Sequence, residues 1–121
     1  GVELVPDAIL MARENAQLNN VSNISFWEGD VKDFLRTEEA TAEPFTVVVV
    51  DPPRAGLHPK ALKRLLEISS PKIVYISCNP STFARDAAEL VAAGYRLEQV
   101  SPVDMFPHTM HIELVSRFER G

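Results

Sequence analysis

Val47-Val48-Val49-Val50-Asp51-Pro52-Pro53-Arg54-Ala55-Gly56-Leu57-His58-Pro59 is the stretch that decides how the rest of the chain is read. Four β-branched residues in a row make a strand with no polar residue on either face. Such a strand needs cover on both faces, as parallel strands of α/β proteins have. Pro52 and Pro53 lack the N–H groups that a ladder or a helix needs, so the chain breaks there. Asp51 is thereby delivered to the carboxyl end of a buried strand, which is where open α/β sheets hold their ligands.

Downstream, Pro59–Ile68 reads as a helix, with Pro59 in its first turn and Leu62, Leu65 and Leu66 as a narrow apolar stripe. Lys72–Ile76 is a second buried-type strand, ending in Ser77-Cys78-Asn79-Pro80. Thr82–Ala93 follows as a helix, with Ser81 or Thr82 as its cap, Phe83, Ala87, Leu90 and Val91 facing inward, and Gly94 as its stop. Tyr95–Val100 and Ile112–Phe118 are strands, separated by a loop at Met105–Thr109. Upstream, Pro6-Asp7 opens a helix over Ala8–Leu18 that turns Ile9, Ala12 and Ala16 to one side. Ile24–Glu28 is a short strand ending at Gly29-Asp30, Asp30 caps a short helix from Val31 to about Arg36, and the polar, acidic Thr37–Pro44 is a loop. Strand–helix alternation implies a parallel sheet with crossover helices, an α/β fold. The last two strands, with no helix between them, form an antiparallel hairpin at one edge. No linker marks a second domain.

The 121 residues, 45% hydrophobic and 24% charged, suit a globular domain rather than a disordered or fibrous chain. No apolar run approaches the roughly 20 residues of a membrane span, and no secretory signal is visible, so a soluble cytoplasmic protein is expected. The single cysteine, Cys78, excludes an internal disulfide. A net charge of −5 gives no bulk attraction to nucleic acid, so such a partner would need a local basic patch or another domain. Gly1-Val2-Glu3-Leu4 reads as the end of a strand running straight into a helix, and the chain is expected to be part of something longer.

Three strand ends carry an acid: Glu3, Asp30 and Asp51. Singly, each suits a helix cap or a solvated surface. As a set at successive strand ends they suit ligand binding, and Glu3, if Gly1-Val2 closes the second strand of a dinucleotide-type unit, is placed to accept hydrogen bonds from ribose hydroxyls. Cys78 ends the next strand in a tight polar turn, where the following helix start would favour thiolate. No histidine is adjacent to act as its base, so nucleophile and apolar filler both stay open. Glu113 lies between Ile112 and Leu114, with His108 and His111 just upstream. The local pattern does not exclude a surface carboxylate on an edge strand. With no cysteine pair and no His-Glu-x-x-His arrangement, no metal is expected. His58 is a loop residue near the crevice. Arg54, Lys60, Lys63 and Arg64 could meet phosphates, or could be the solvated face of an ordinary helix.

Three motifs in order, Asp51-Pro52-Pro53-Arg54-Ala55-Gly56-Leu57, Ser77–Asp86 and Asp104–Glu113, resemble the S-adenosylmethionine-dependent RNA 5-methyluridine methyltransferases, which act on uridines of tRNA and 23S rRNA. The resemblance runs over essentially the whole chain and implies a Rossmann-like class I methyltransferase sheet, of which residues 1–121 are the C-terminal portion. It implies that Cys78 adds to C6 of uracil and so turns C5 into a carbon nucleophile. It also implies that Glu113 removes the C5 proton, and that Glu3, Asp30 and Asp51 contact the S-adenosylmethionine cofactor. The target base must leave its stack to reach the thiol.

Relative to that family, the first strand, its glycine-rich loop and most of the second strand are absent, as is an RNA-binding region. The missing strand would lie centrally, so two half-sheets with exposed edges and some self-association are expected. A non-catalytic α/β nucleotide-binding or interaction module is the alternative; cytosine C5 or an exocyclic amine as target fits the cysteine and glutamate contexts poorly. The 121-residue chain alone is expected neither to bind S-adenosylmethionine tightly nor to methylate RNA, and calorimetry detecting micromolar cofactor binding would contradict this.

Overall fold

Each of the three long helices opens on a proline, whose fixed φ suits a first turn and whose missing N–H would have no partner there. The computed structural model describes residues 1–121, which form two compact units, residues 1–43 and 44–121. No helix is long and apolar enough to cross a membrane.

In the first unit, β1 (Val2–Glu3) is followed by α1 (Pro6–Leu18), β2 (Trp27–Glu28), α2 (Val31–Phe34) and α3 (Glu38–Ala42). The two strands pair in parallel, Val2 with Trp27 and Glu3 with Glu28. Ile9 is the buried residue of α1, with Ala12 and Ala16 half-buried beside it, as helical spacing requires. β2 is shorter than the expected Ile24–Glu28, because its partner offers only two ladder positions. Asp30 caps α2 as read from the sequence, accepting the Lys32 amide at 2.9 Å. The expected loop over Thr37–Pro44 instead contains α3. Thr37 caps it by accepting the Ala40 amide, Glu38 and Glu39 complement the helix dipole, and Ala40 is buried.

The second unit contains β3 (Val48–Val50), α4 (Pro59–Ile68), β4 (Lys72–Ser77), α5 (Pro80–Ala92), β5 (Tyr95–Val103) and β6 (Glu113–Arg120). Its sheet runs β3-β4-β6-β5, with β3 and β4 parallel and β6 antiparallel to both its neighbours. The hairpin sits at one edge as expected, with its last strand turned inward against β4. Leu62 and Leu65 of α4 and Phe83 and Leu90 of α5 pack with Ile73, Tyr75, Tyr95 and Phe118 of the sheet. Phe83 stands edge-on to Tyr75, ring centres 5.5 Å apart.

Three expectations are corrected here. β3 begins at Val48 and is not covered on both faces: it is an edge strand whose Val49 is 62% exposed, while Val48 and Val50 pack on the core. The cap of α5 is Asn79, one residue ahead of the proline, rather than Ser81 or Thr82. The inward face of α5 turns through Phe83, Asp86, Ala87 and Leu90, which leaves Val91 exposed.

Both tyrosines of the chain lie in this core. The Tyr75 hydroxyl donates to Asp86 at 2.6 Å and that of Tyr95 to the Ser70 carbonyl at 2.7 Å. Burial pushes both phenol pKa values up, and for Tyr75 the bond to Asp86 adds to the rise. Folding therefore favours the protonated phenols. That contribution is complete below the free value of about 10 and is lost as pH rises through the folded values. An alkaline titration followed at the tyrosinate absorbance should show little ionisation at pH ~10, where free tyrosine is half ionised. The signal should rise only together with loss of the circular dichroism of the fold.

Candidate active site at the carboxyl ends of β3 and β4

Asp51 lies one residue past β3, and Cys78 one residue past β4, on adjacent parallel strands joined through Val50 and Tyr75. The antiparallel ladder between β4 and β6 ends at Ser77 and Leu114. Cys78 and Glu113 are the residues next along the chain beyond that last pair. A carboxylate, a thiol and a second carboxylate therefore gather at one end of one sheet. Asp51 is exposed, and Cys78 and Glu113 are half-buried. No hydrogen bond or ion pair within the protein engages any of these three side chains.

Several polar groups around them are committed. The Ser77 hydroxyl donates to the Asn79 carbonyl at 3.0 Å and accepts the Asn79 amide at 3.1 Å, which fixes the turn that carries Cys78. Asn79 Oδ1 accepts the Ser81 amide at 3.1 Å and so caps α5. Its Nδ2 donates to the Arg54 carbonyl at 3.1 Å, and the Thr82 hydroxyl reaches that same carbonyl at 3.1 Å. The loop after Asp51 is thus tied to the turn after Cys78.

Behind this tie sits Asp86, 1% exposed. Its Oδ2 accepts the Leu57 amide at 2.8 Å and the Tyr75 hydroxyl at 2.6 Å. Its Oδ1 accepts Arg85 Nε at 2.9 Å and Nη2 at 2.8 Å, and the same Nη2 donates to the Ala55 carbonyl at 3.0 Å. Gly56 crosses above the pair at φ +80°, in a turn closed by its amide on the Pro53 carbonyl at 2.8 Å. A Cβ there would stand 2.5 Å from Arg85 Nη2 and 2.7 Å from Asp86 Oδ2, so only glycine fits. Sequence reasoning missed Asp86, Tyr75 and Gly56 as organisers of the site. The available signal was an acid set within the apolar stripe of α5.

Arg54 Nη1 lies 3.3 Å from His111 Nδ1, which links the loop after β3 to the loop before β6. The other cations of the basic cluster sit on α4, where Arg64 pairs with Glu67 at 2.5 Å. His58 is the cap of α4, its Nδ1 accepting the Lys60 amide at 3.2 Å. No cluster of His, Cys, Asp and Glu is placed to hold a metal ion.

Glu3 and Asp30 belong to the first unit, at the carboxyl ends of β1 and β2. Glu3 Oε1 accepts the Val5 amide at 2.9 Å. Asp30 pairs through Oδ2 with Lys32 Nζ at 2.6 Å in addition to its capping bond, and this contact raises the Lys32 pKa. Both carboxylates therefore have local structural work.

A family model described as tRNA (uracil-5-)-methyltransferase matches residues 2–120. The chain belongs to this family. It is 50% identical over 124 residues to an uncharacterized RNA methyltransferase of Chlorobaculum tepidum, a match that takes in 100% of this chain and 26% of the relative. Against an uncharacterized RNA methyltransferase of Caldanaerobacter subterraneus it is 48% identical, again over 26% of the relative. The chain thus spans about a quarter of the curated relatives it matches. Among solved structures, the Pyrococcus abyssi tRNA (uracil-54, C5)-methyltransferase in complex with S-adenosyl-L-homocysteine superposes with a TM-score of 0.83 at 43% identity. That superposition covers 98% of this chain and 28% of that one. The N-methyltransferase NodS of Bradyrhizobium japonicum, at 18% identity and TM-score 0.72 over 98% of this chain and 71% of that one, shares the fold alone. The α/β fold is that of the class I methyltransferases.

Asn79 is the hinge of the local network, since it both caps α5 and holds the Arg54 carbonyl. Asn79→Ala should lower the stability of the second unit by about 1 kcal/mol through the lost cap. Urea unfolding, compared with the parent, measures this.

Proposed function

We propose that the full-length protein transfers a methyl group from S-adenosylmethionine to C5 of a uridine in structured RNA, either tRNA or rRNA. The observation that supports this reading is the β4–β6 ladder, whose last pair, Ser77 with Leu114, is next in the chain to Cys78 and Glu113, both with uncommitted side chains, while Asp51 follows the neighbouring strand. Family membership supports it.

C5 of uracil is too weak a nucleophile to be methylated directly. In the proposed mechanism Cys78 adds as thiolate to C6, and the electron pair of the C5–C6 bond moves onto C5 and its neighbouring carbonyl. S-adenosylmethionine, when bound, supplies an electrophilic methyl group. Glu113 then takes the proton from C5, the C5–C6 double bond re-forms and the Cys78 sulfur leaves as thiolate. Asp51, exposed and uncommitted, suits a contact with the cofactor, and Glu3, with one carboxylate oxygen outside its bond to Val5, suits a ribose hydroxyl. Asp30 is also proposed for the cofactor, and its pairing with Lys32 would have to rearrange on binding.

A net charge of −5 implies that regions beyond these residues supply most of the attraction to RNA phosphates. Self-association of the 121-residue chain is proposed through the outer edge of β3, where Val49 is exposed and no strand pairs.

RNA carrying 5-fluorouridine tests the reading. The full-length protein with S-adenosylmethionine should form a covalent RNA adduct that survives denaturing electrophoresis, and Cys78→Ala should abolish it. With ordinary uridine, Glu113→Gln should lose about 10²-fold or more in turnover and accumulate the adduct, since the base is gone while the nucleophile remains. Absence of an adduct from the parent would favour a non-catalytic nucleotide-binding module.

A further inference from the structure

We infer that Asp86 is a positioning residue for the proposed reaction, acting on the loop 51–57 without touching substrate or cofactor; this rests on the methylation reading above. At 1% exposure its carboxylate is sealed from any ligand. Its partners come from three places. Leu57 belongs to the loop that begins at Asp51, Tyr75 to the strand that ends one residue before Cys78, and Arg85 to α5. Tyr75 is also the ladder partner of Val50, the residue immediately before Asp51. One buried carboxylate therefore fastens the strand that delivers the proposed nucleophile and the loop that follows the proposed cofactor ligand.

An apolar residue at this position would fill the space and leave the Leu57 amide and the Tyr75 hydroxyl without acceptors. A neutral amide offers one acceptor oxygen where the carboxylate uses two, so it cannot serve the loop amide, the phenol and the guanidinium together. Gly56 points the same way. The loop backbone passes so close to Arg85 and Asp86 that a Cβ has no room, which is what a loop clasped onto the pair requires. Arg85 extends the clasp by donating to the Ala55 carbonyl as well.

The test uses Asp86→Asn in the full-length protein, with two readouts. In hydrogen exchange, the Leu57 amide and its loop should lose protection while Ile73 and Phe118, both fully buried in the central strands, keep theirs. With 5-fluorouridine RNA, the rate of adduct formation per folded molecule should fall by about 10²-fold, the scale expected when reacting groups are misplaced by about an ångström, with KM for RNA little changed. Equal loss of protection in loop and core would overturn the inference in favour of a purely structural role. So would a loosened loop with an unchanged adduct rate. If the parent forms no adduct but the variant frees the loop alone, the clasp stands and the methylation reading falls. Should Asp86→Asn not fold, Arg85→Gln, whose side chain is largely exposed, removes the charge partner and the Ala55 bond. It should give the same pattern at smaller amplitude, and an unchanged loop and rate there would overturn the inference.

Discussion

A carboxylate buried in a small core is costly unless its charge is matched and its lone pairs are filled. Asp86 meets both conditions, and the geometry of the second unit follows from how it does so. The charge is balanced by Arg85, which keeps half its side chain in water and so gives up little hydration of its own. The lone pairs are filled by a phenol, a backbone amide and two guanidinium nitrogens. Meeting these demands at once fixes α5 against β4 and draws the loop after β3 down onto both. Glycine at position 56 is the steric consequence. The pressure to satisfy one buried group thus shapes a surface loop that would otherwise have little reason to be ordered.

Two groups of polar side chains meet at this end of the sheet. Ser77, Asn79, Thr82, Arg85 and Asp86 spend their hydrogen bonds on each other and on the backbone of the two loops. Asp51, Cys78 and Glu113 spend none. A structural surface gains nothing by leaving a thiol and two carboxylates idle beside such a network, whereas a reaction site requires groups that are held by their backbones and open at their tips. The contrast favours the ligand reading of Asp51 over the solvated-carboxylate one. It favours Glu3 and Asp30 less, because Glu3 already accepts the Val5 amide and Asp30 caps α2.

Much of this was legible in the sequence, and the failures have physical causes. The alternation of strands and helices, the Pro59–Ile68 helix and the closing hairpin are written in local periodicity and in proline and glycine placement, which act over a few residues. Helix α3 was hidden because Glu38, Glu39 and Thr41 look like loop composition. Its formation depends on Thr37 as cap and on Ala40 finding cover. The expectation that β3 would be covered on both faces failed because hydrophobicity reports what a strand can bury, and a neighbour decides what it does bury; Val49 has none. Asp86 was passed over because a charge within an apolar stripe reads as a boundary of the stripe, and its partners lie up to 29 residues away.

The relation between Cys78 and Glu113 was the least accessible feature, and the topology explains both why it is hidden and why it exists. In a wholly parallel sheet only carboxyl ends of strands gather on one side, so each candidate group must follow its strand. Inserting one antiparallel strand next to β4 brings an amino end to that same side. Glu113 and Cys78 then lie at the same end of the sheet although 34 intervening residues of helix, strand and loop separate them in the chain. No histidine adjoins Cys78 along the chain, and the acid that comes near its strand end arrives from across the sheet. The closing hairpin is the element that brings an acid to the end of the sheet where Cys78 stands.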